Sequence, residues 1–310
     1  QRGLLLTAFG VSFLLLNVVV ARQITLGVKP GLQFDPKALH VKPGEQVELT
    51  FDNVDEMMHN FVLVKPGTRL EMVEAAIALG ADGKLFKIDV ADLRVAASMN
   101  VSGASDLRGL DVRPASGQLY ALGGNDRLYT LDASSGKATP ASTLKTALPG
   151  NSQAVVDFNP VADRLRLMSP DGTNLRVNVD TGEAVVDGKQ AYGADGPYAG
   201  QQPQVVAGAY TNSYAGTPST ALYNIDLASG SLMLQNPPND GVQQLVGKLA
   251  DGLQTAALDI ASDGMGGNTA YVLTGKTLHR LDLASGKPTT LGDIANLPDG
   301  IIDISVLPAK

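Results

Sequence analysis

Cysteine and tryptophan are both missing from the 310 residues, and histidine occurs only three times. Without cysteine there are no disulfides, thiolate metal sites, iron–sulfur clusters or covalently attached haem. A type 1 copper centre is disfavoured for the same reason, because it is built on a cysteine thiolate. Exported proteins can also lack cysteine, so this absence does not fix the compartment. His279 is the only histidine beyond residue 76, which disfavours a histidine-based hydrolase. Basic blocks are missing too: the net charge is −7, which argues against nucleic acid, whose binding rests on Lys and Arg neutralising phosphates. No loop reads as a phosphate cradle, since Gly264 to Gly267 follows a strand pattern but opens no helix.

What is present is a repeat. Leu-Tyr-Thr-Leu-Asp-Ala-Ser-Ser-Gly ends at Gly136, and close copies end at Gly230 and Gly286. A shortened copy ends at Gly182, and one without its glycine opens at Leu85. The four glycines are 46, 48 and 56 residues apart, near the period of propeller blades. The 34 glycines and 17 prolines suit many tight turns, and 44% hydrophobic residues supply a sizeable core.

Each repeat has one grammar. An inner strand comes first, at Gly109–Pro114, Val155–Pro160 and Ala257–Ser262, with Val205–Tyr210 as a copy that lacks the aspartate. A second strand follows, the recurring phrase is the third, and its Ser-Gly turn leads into a fourth. Four strands per unit make a propeller blade. The first blade has only middle strands, at Ala76–Leu79 and Lys84–Ile88, and an outer one at Val95–Val101, while Gly300–Leu307 is an inner strand without a blade. The C-terminal strand is therefore expected to close the ring. The predicted fold is all-β: a five-bladed propeller over residues 76–310. The Gly-, Tyr- and Gln-rich stretch from Asp187 to Gln204 is an excursion or a degenerate sixth blade.

The N-terminal quarter differs. Arg2, an apolar run from Leu4 to Val20 and small residues before Arg22 predict an apolar helix over residues 1–23, either a signal peptide or a membrane anchor. Both send the chain out of the cytoplasm, with membrane contact only through residues 4–20. Residues 24–75 alternate like strands, up to a helical stretch expected over Leu70 to Leu79. Leu39-His-Val-Lys-Pro-Gly and Met57-Met-His-Asn-Phe resemble the first half of azurin/plastocyanin-like cupredoxins. That resemblance implies His59 as a copper ligand, but the loop supplying the family's other ligands is absent. A weaker metal site from His40, His59 and Met57 or Met58 is left open. An incomplete sheet leaves open edges, and an open edge can add a strand to a neighbouring chain.

The repeat region has its own resemblance. Asp157-Phe-Asn-Pro-Val-Ala-Asp-Arg-Leu-Arg, followed by Asn174-Leu-Arg, and Gly109-Leu-Asp-Val-Arg-Pro-Ala-Ser-Gly resemble the exported bacterial family catalogued as domain of unknown function 4394, over residues 80–308. The resemblance implies export and a propeller-like fold, and no chemistry.

Two clusters are candidate sites. Asp111, Asp157, Asp259 and Asp303 recur on inner strands. They either bind a hard cation such as Ca²⁺ in the channel or are structural groups repeated with the blades. Arg113, Asn159, Arg164, Asn174 and Arg176 either hold a carboxylate or sugar or form a blade-tying network centred on Asp163 and Arg164. Tyr192, Tyr198, Tyr210 and Tyr214 offer a possible aromatic contact surface. The expected function is non-catalytic binding or assembly at the cell surface or in the periplasm, with a protein partner or self-association. The alternative is a metal-dependent, lactonase-like hydrolase using the channel aspartates.

Overall fold

The computed structural model describes residues 21–29, 33–35, 42, 45–52, 75–151 and 153–307. The chain divides into two compact units, residues 1–70 and 71–310, a few residues before the expected boundary at 75/76. In the first unit, β1 (Arg22–Lys29) lies between β2 (Gln33–Asp35) and β3 (Val47–Asp52), antiparallel to β2 and parallel to β3. The register sets Ile24 beside Leu49 and Leu26 beside Phe51, so one face is apolar, and Leu26 is buried. Arg22 and Gln23, assigned by sequence to the leader, belong to β1. His40, Met57, Met58, His59 and the apolar run at 4–20 lie outside the described residues.

The second unit is a five-bladed propeller. Blade one contains β4 (Ala75–Gly80), β5 (Lys84–Asp89) and β6 (Arg94–Asn100). Blade two is β7 (Leu107–Val112), β8 (Leu119–Gly123), β9 (Arg127–Leu131) and β10 (Ala138–Thr143). Blade three is β11 (Val155–Asn159), β12 (Arg164–Met168), β13 (Asn174–Val177) and β14 (Ala184–Val186). Blade four has five strands: β15 (Ala191–Tyr192), β16 (Val205–Tyr210), β17 (Leu222–Asp226), β18 (Ser231–Gln235) and β19 (Val242–Lys248). Blade five is β20 (Ala257–Ser262), β21 (Asn268–Thr274), β22 (Thr277–Leu281) and β23 (Pro288–Asp293). The last strand, β24 (Ile301–Leu307), returns to pair with β4 and becomes the inner strand of blade one. Inner strands then pack round the ring in the order β24, β7, β11, β16, β20 and back to β24.

Three expectations need correction. Of the helix expected over Leu70–Leu79, residues 70–74 lie outside the described residues. Where that stretch is described the helix is overturned, since Ala75–Gly80 is strand β4, in keeping with the strand also read at Ala76–Leu79. Its alanines favour a helix locally, but β24 and β5 flank it on both sides and bury it. Among the described residues the sole helical element is one 3₁₀ turn, Pro238–Asp240, and no helix is long and apolar enough to cross a membrane. The Asp187–Gln204 excursion is not a sixth blade: it adds β15, parallel to β19, to the outside of blade four. Within that blade the recurring phrase is the second strand, not the third.

The turn glycines explain why the phrase recurs. Gly136, Gly182 and Gly286 all have positive φ, near +70°. A side chain on them would run into backbone at the fourth strand, counted from the inner one, of the preceding blade: Asn100, Thr143 and Gly247 respectively. Blade four, with its phrase shifted inward by one strand, turns Gly230 against Ala250 of its own blade instead. Each such glycine meets two demands, a left-handed turn and a close approach between blades.

These demands separate experimentally. Gly83 has φ +76° with nothing within 4 Å of the site a Cβ would take. Gly83→Ala is expected to lose only the roughly 1–2 kcal/mol of the left-handed conformation. Gly182→Ala should lose clearly more, because Thr143 backbone must also move, and comparative urea melts of the two variants check this.

Candidate functional site

The four aspartates stand on inner strands β7, β11, β20 and β24, and each is buried. Apolar neighbours on each strand turn the carboxylate toward the adjoining blade. Asp303 Oδ2 accepts from Leu110 N of β7 at 2.8 Å. Asp111 Oδ2 accepts from Phe158 N of β11 at 2.8 Å. Asp157 Oδ1 accepts from Tyr210 N of β16 at 2.9 Å. Asp259 Oδ2 accepts from Val306 N of β24 at 2.6 Å. The carboxylates thus clasp one inner strand to the next around the ring. The remaining seam, between β16 and β20, begins at the inner strand without an aspartate. There Gln153 Nε2 donates to Val206 O at 3.0 Å and to Ala256 O at 2.9 Å.

The same carboxylates take local donors. Asp111 Oδ1 accepts from Val112 N and Ser305 Oγ, Asp259 Oδ1 from Ile260 N, and Asp303 Oδ1 from Ile304 N. One carboxylate oxygen each from Asp111, Asp157 and Asp259 lies within 4.8 Å of the other two. Desolvation is the first cause that raises all four acids; repulsion from neighbouring aspartates adds to it for Asp111, Asp157 and Asp303. Asp259 is pushed up to about 6, and the others go well above the usual carboxylate range.

The second candidate cluster does not form one site. Arg113 grips Asp163 with Nε and Nη2 at 2.8 and 2.5 Å and reaches Asp180 at 3.1 Å, tying blade two to blade three. That pairing raises the Arg113 pKa and lowers that of Asp163. The expected Asp163–Arg164 pair is replaced by it: Arg164 Nη1 donates to the carbonyls of Ala162 and Asp163. Asn159 Oδ1 accepts from Val161 N and Ala162 N, an Asx turn. Arg164 and Arg176 do share the wall of a surface cleft of about 390 Å³ with Lys145, Asn178 and Glu183. Lys145 is paired with Glu183 at 2.9 Å and Arg176 with Asp187 at 2.7 Å.

Asn174 instead belongs to a network that sequence reasoning missed, centred on Arg166. This buried guanidinium donates to Asn174 Oδ1, Asp187 Oδ2, Asn239 Oδ1 and Tyr210 Oη at 2.5–3.0 Å. It joins blades three and four where their shared apolar core is small: Val155, Met168, Val205, Tyr210 and Leu222. Arg166 alternates with Leu165 and Leu167 along β12, so its pattern reads as an exposed face. A charged residue on a strand with partners on the neighbouring blade leaves no local signal.

The tyrosines separate. Tyr210 is in the core with Val155 and Met168. Tyr192 and Tyr198 meet with ring centroids 5.2 Å apart in a cleft of about 520 Å³ at the outer edge of blade four. His279 sits between the hydroxyls of Thr274 and Thr290, with Asp293 near enough to act on it electrostatically.

The raised aspartates set a pH dependence. An unfolded aspartate titrates near 3.9, so between about pH 4 and the folded pKa the unfolded chain holds fewer protons. Stability contributed here therefore falls as pH rises through that window, which for Asp259 ends near 6. Surface acids with lowered pKa, such as Asp163 and Asp282, act oppositely below about pH 4. The melting temperature should decline from pH 5 to pH 8. Asp157→Asn retains an oxygen for Tyr210 N and should flatten that decline, whereas Asp157→Ala should destabilise by about 1–3 kcal/mol. Arg166→Ala should cost more than about 3 kcal/mol and Arg164→Ala under about 1 kcal/mol, both read by denaturant melts.

Comparison with known proteins adds the family and little else. The family model described as domain of unknown function (DUF4394) matches residues 84–305. No curated protein matches the chain. A structural-genomics protein of unknown function from Bacteroides thetaiotaomicron VPI-5482 is 20% identical with a TM-score of 0.49, covering 76% of this chain and 62% of that one. This chain therefore spans about three fifths of that protein's length. An auxiliary nutrient binding protein from Bacteroides ovatus ATCC 8483 is 13% identical with a TM-score of 0.38, covering 63% and 55% of the two chains. A protein of unknown function from Bacteroides caccae is 11% identical with a TM-score of 0.36, covering 72% and 73%. Likenesses this distant carry no functional argument. With its repeats, its ring of five blades and a family match across nearly all of that ring, the chain belongs to the DUF4394 family.

Proposed function

We propose that this chain is an exported, non-catalytic propeller that acts by binding or assembly at the cell surface or in the periplasm. The observation that supports this reading is the state of the inner-strand aspartates. Their oxygens face backbone N–H groups of the neighbouring blades, and they are shut off from solvent. Calcium takes six to eight oxygens, but both oxygens of Asp111 and of Asp259, and Oδ1 of Asp157, already accept from N–H groups whose hydrogens repel a cation. Clefts open instead on the outer edges of blades three and four. The export part of the reading rests on Arg2 followed by the apolar run from Leu4 to Val20. Assembly would use the first unit, in whose sheet β2 and β3 are the edges among the described residues, with strand addition as the mode.

The alternative, a metal-dependent lactonase-like hydrolase, has one observation in its favour: the approach of the Asp111, Asp157 and Asp259 oxygens. One set of measurements decides between them. Metal analysis, melting with and without calcium or chelator, and a lactone panel should show no bound cation, no shift and no hydrolysis above buffer. Sedimentation equilibrium should show concentration-dependent association that is lost when residues 1–70 are removed. A chelator-sensitive melt together with hydrolysis abolished in Asp157→Ala would instead establish the hydrolase.

A further inference from the structure

The cleft at the outer edge of blade four is formed by the excursion that the other blades lack. Gly193 N bonds to Gln243 O at 3.0 Å, which holds the segment after β15 against β19. The cleft of about 520 Å³ lies in the size range of small-molecule sites. Two tyrosines make one wall. Tyr192 is buried, and its hydroxyl donates to the buried Asp226 Oδ2 at 2.6 Å. Its ring props that of Tyr198 at 5.2 Å with an interplanar angle of 43°. Tyr198 is half-buried, so one aromatic surface is held in place before any ligand arrives, which lowers the ordering cost of binding.

Beside this ring the cleft exposes an aliphatic group. Leu245 of β19 is 42% exposed, one of few large apolar side chains left in water. The rim is polar and supplies both donors and acceptors. Gln244 Nε2 donates to Asn236 O at 2.9 Å, which orients its amide, and the Asn236 amide and the Asp195 carboxylate are exposed nearby.

The lining selects among ligands by charge and shape. No Lys or Arg is among the lining residues, and Lys248, whose ammonium is near enough to Tyr198 to interact with it, is paired with Asp251 at 2.5 Å, so a phosphate or carboxylate would meet Asp195 with no unpaired cation in the lining. With Tyr192 buried, only Tyr198 presents an accessible ring, and one flat ring is a stacking platform rather than a cage around an ammonium ion. A flat aromatic, an aliphatic contact and an amide-rich rim suit a neutral molecule with one apolar C–H face and a border of hydroxyls. The slightly positive C–H hydrogens of a pyranose meet the negative face of the ring, and amides satisfy hydroxyls in either direction.

We propose that the blade-four cleft is a binding site for a neutral saccharide, stacked on Tyr198 and bordered by Leu245, Asn236 and Gln244. The proposal rests on the binding reading above and names its ligand class. Saturation-transfer NMR on the full chain, with maltose, cellobiose, lactose and N,N′-diacetylchitobiose at concentrations on the order of 10 mM, tests it. At least one sugar should bind saturably. Tyr198→Ala and Leu245→Asp should each weaken it about tenfold or more while the melting temperature stays within about 3 °C of the parent. No binding by any of the four sugars overturns the proposal, as does binding that survives both variants. Saturable binding of tetramethylammonium with no sugar bound also overturns it, pointing to a cation site. If sugars fail while the chain still self-associates through its first unit, the saccharide site falls and the wider binding reading stands.

Discussion

The propeller depends on joining neighbouring inner strands where no sheet hydrogen bond can form. Strands within a blade satisfy one another, but an inner strand has a ladder partner on one side only, with backbone amides left over on the other. Four aspartates close these gaps, each reaching from one blade to an N–H of the next. The solution is expensive electrostatically, since buried carboxylates lose their hydration, and the rise in their pKa values is the sign of it. It is tolerable because each accepts hydrogen bonds and because protonation relieves the repulsion among them.

Around this inner ring the blades use different mixtures of packing and polarity. Blades two and three share a large apolar interface, in which Tyr120 and Phe158 meet edge to face at 5.4 Å. Blades three and four share little apolar surface and rely on the Arg166 network. There Asp187 accepts from both Arg166 and Arg176, so the buried arginine is matched by an acid that is itself shared. Blade four, which lost the inner-strand aspartate and shifted the recurring phrase by one strand, is also the blade that gained β15 and a cleft. Departures from the repeat collect in one place.

The ring was legible in the residues because its rules repeat. The phrase ending at Gly136, the inner-strand Asp and the orphan strand at 301–307 each reflect a demand met several times over. The features that escaped reading are met once. The helical reading over Leu70–Leu79 followed the local preference of its alanines, which pairing with β5 on one side and with β24 on the other overrides at β4. Arg166 draws partners from Asn174 to Asn239, and no spacing announces that. For the candidate site, the aspartates were placed correctly on inner strands, but no sequence signal shows that their acceptors face backbone amides. Of the five residues in the second cluster, Arg164 and Arg176 meet in one cleft, and the other three serve turns and blade contacts.

Closure by β24 has a kinetic side. Blade one holds both the first and the last strands of the ring, so β4 has an unpaired edge until β24 is made. Every other blade can complete itself from contiguous chain, and such local units form quickly. The finished ring waits on its longest-range pairing, and until then an exposed edge of Ala, Ile and Leu is open to wrong partners. Refolding yield should accordingly be governed by the last ten residues of the ring more than by any blade taken alone.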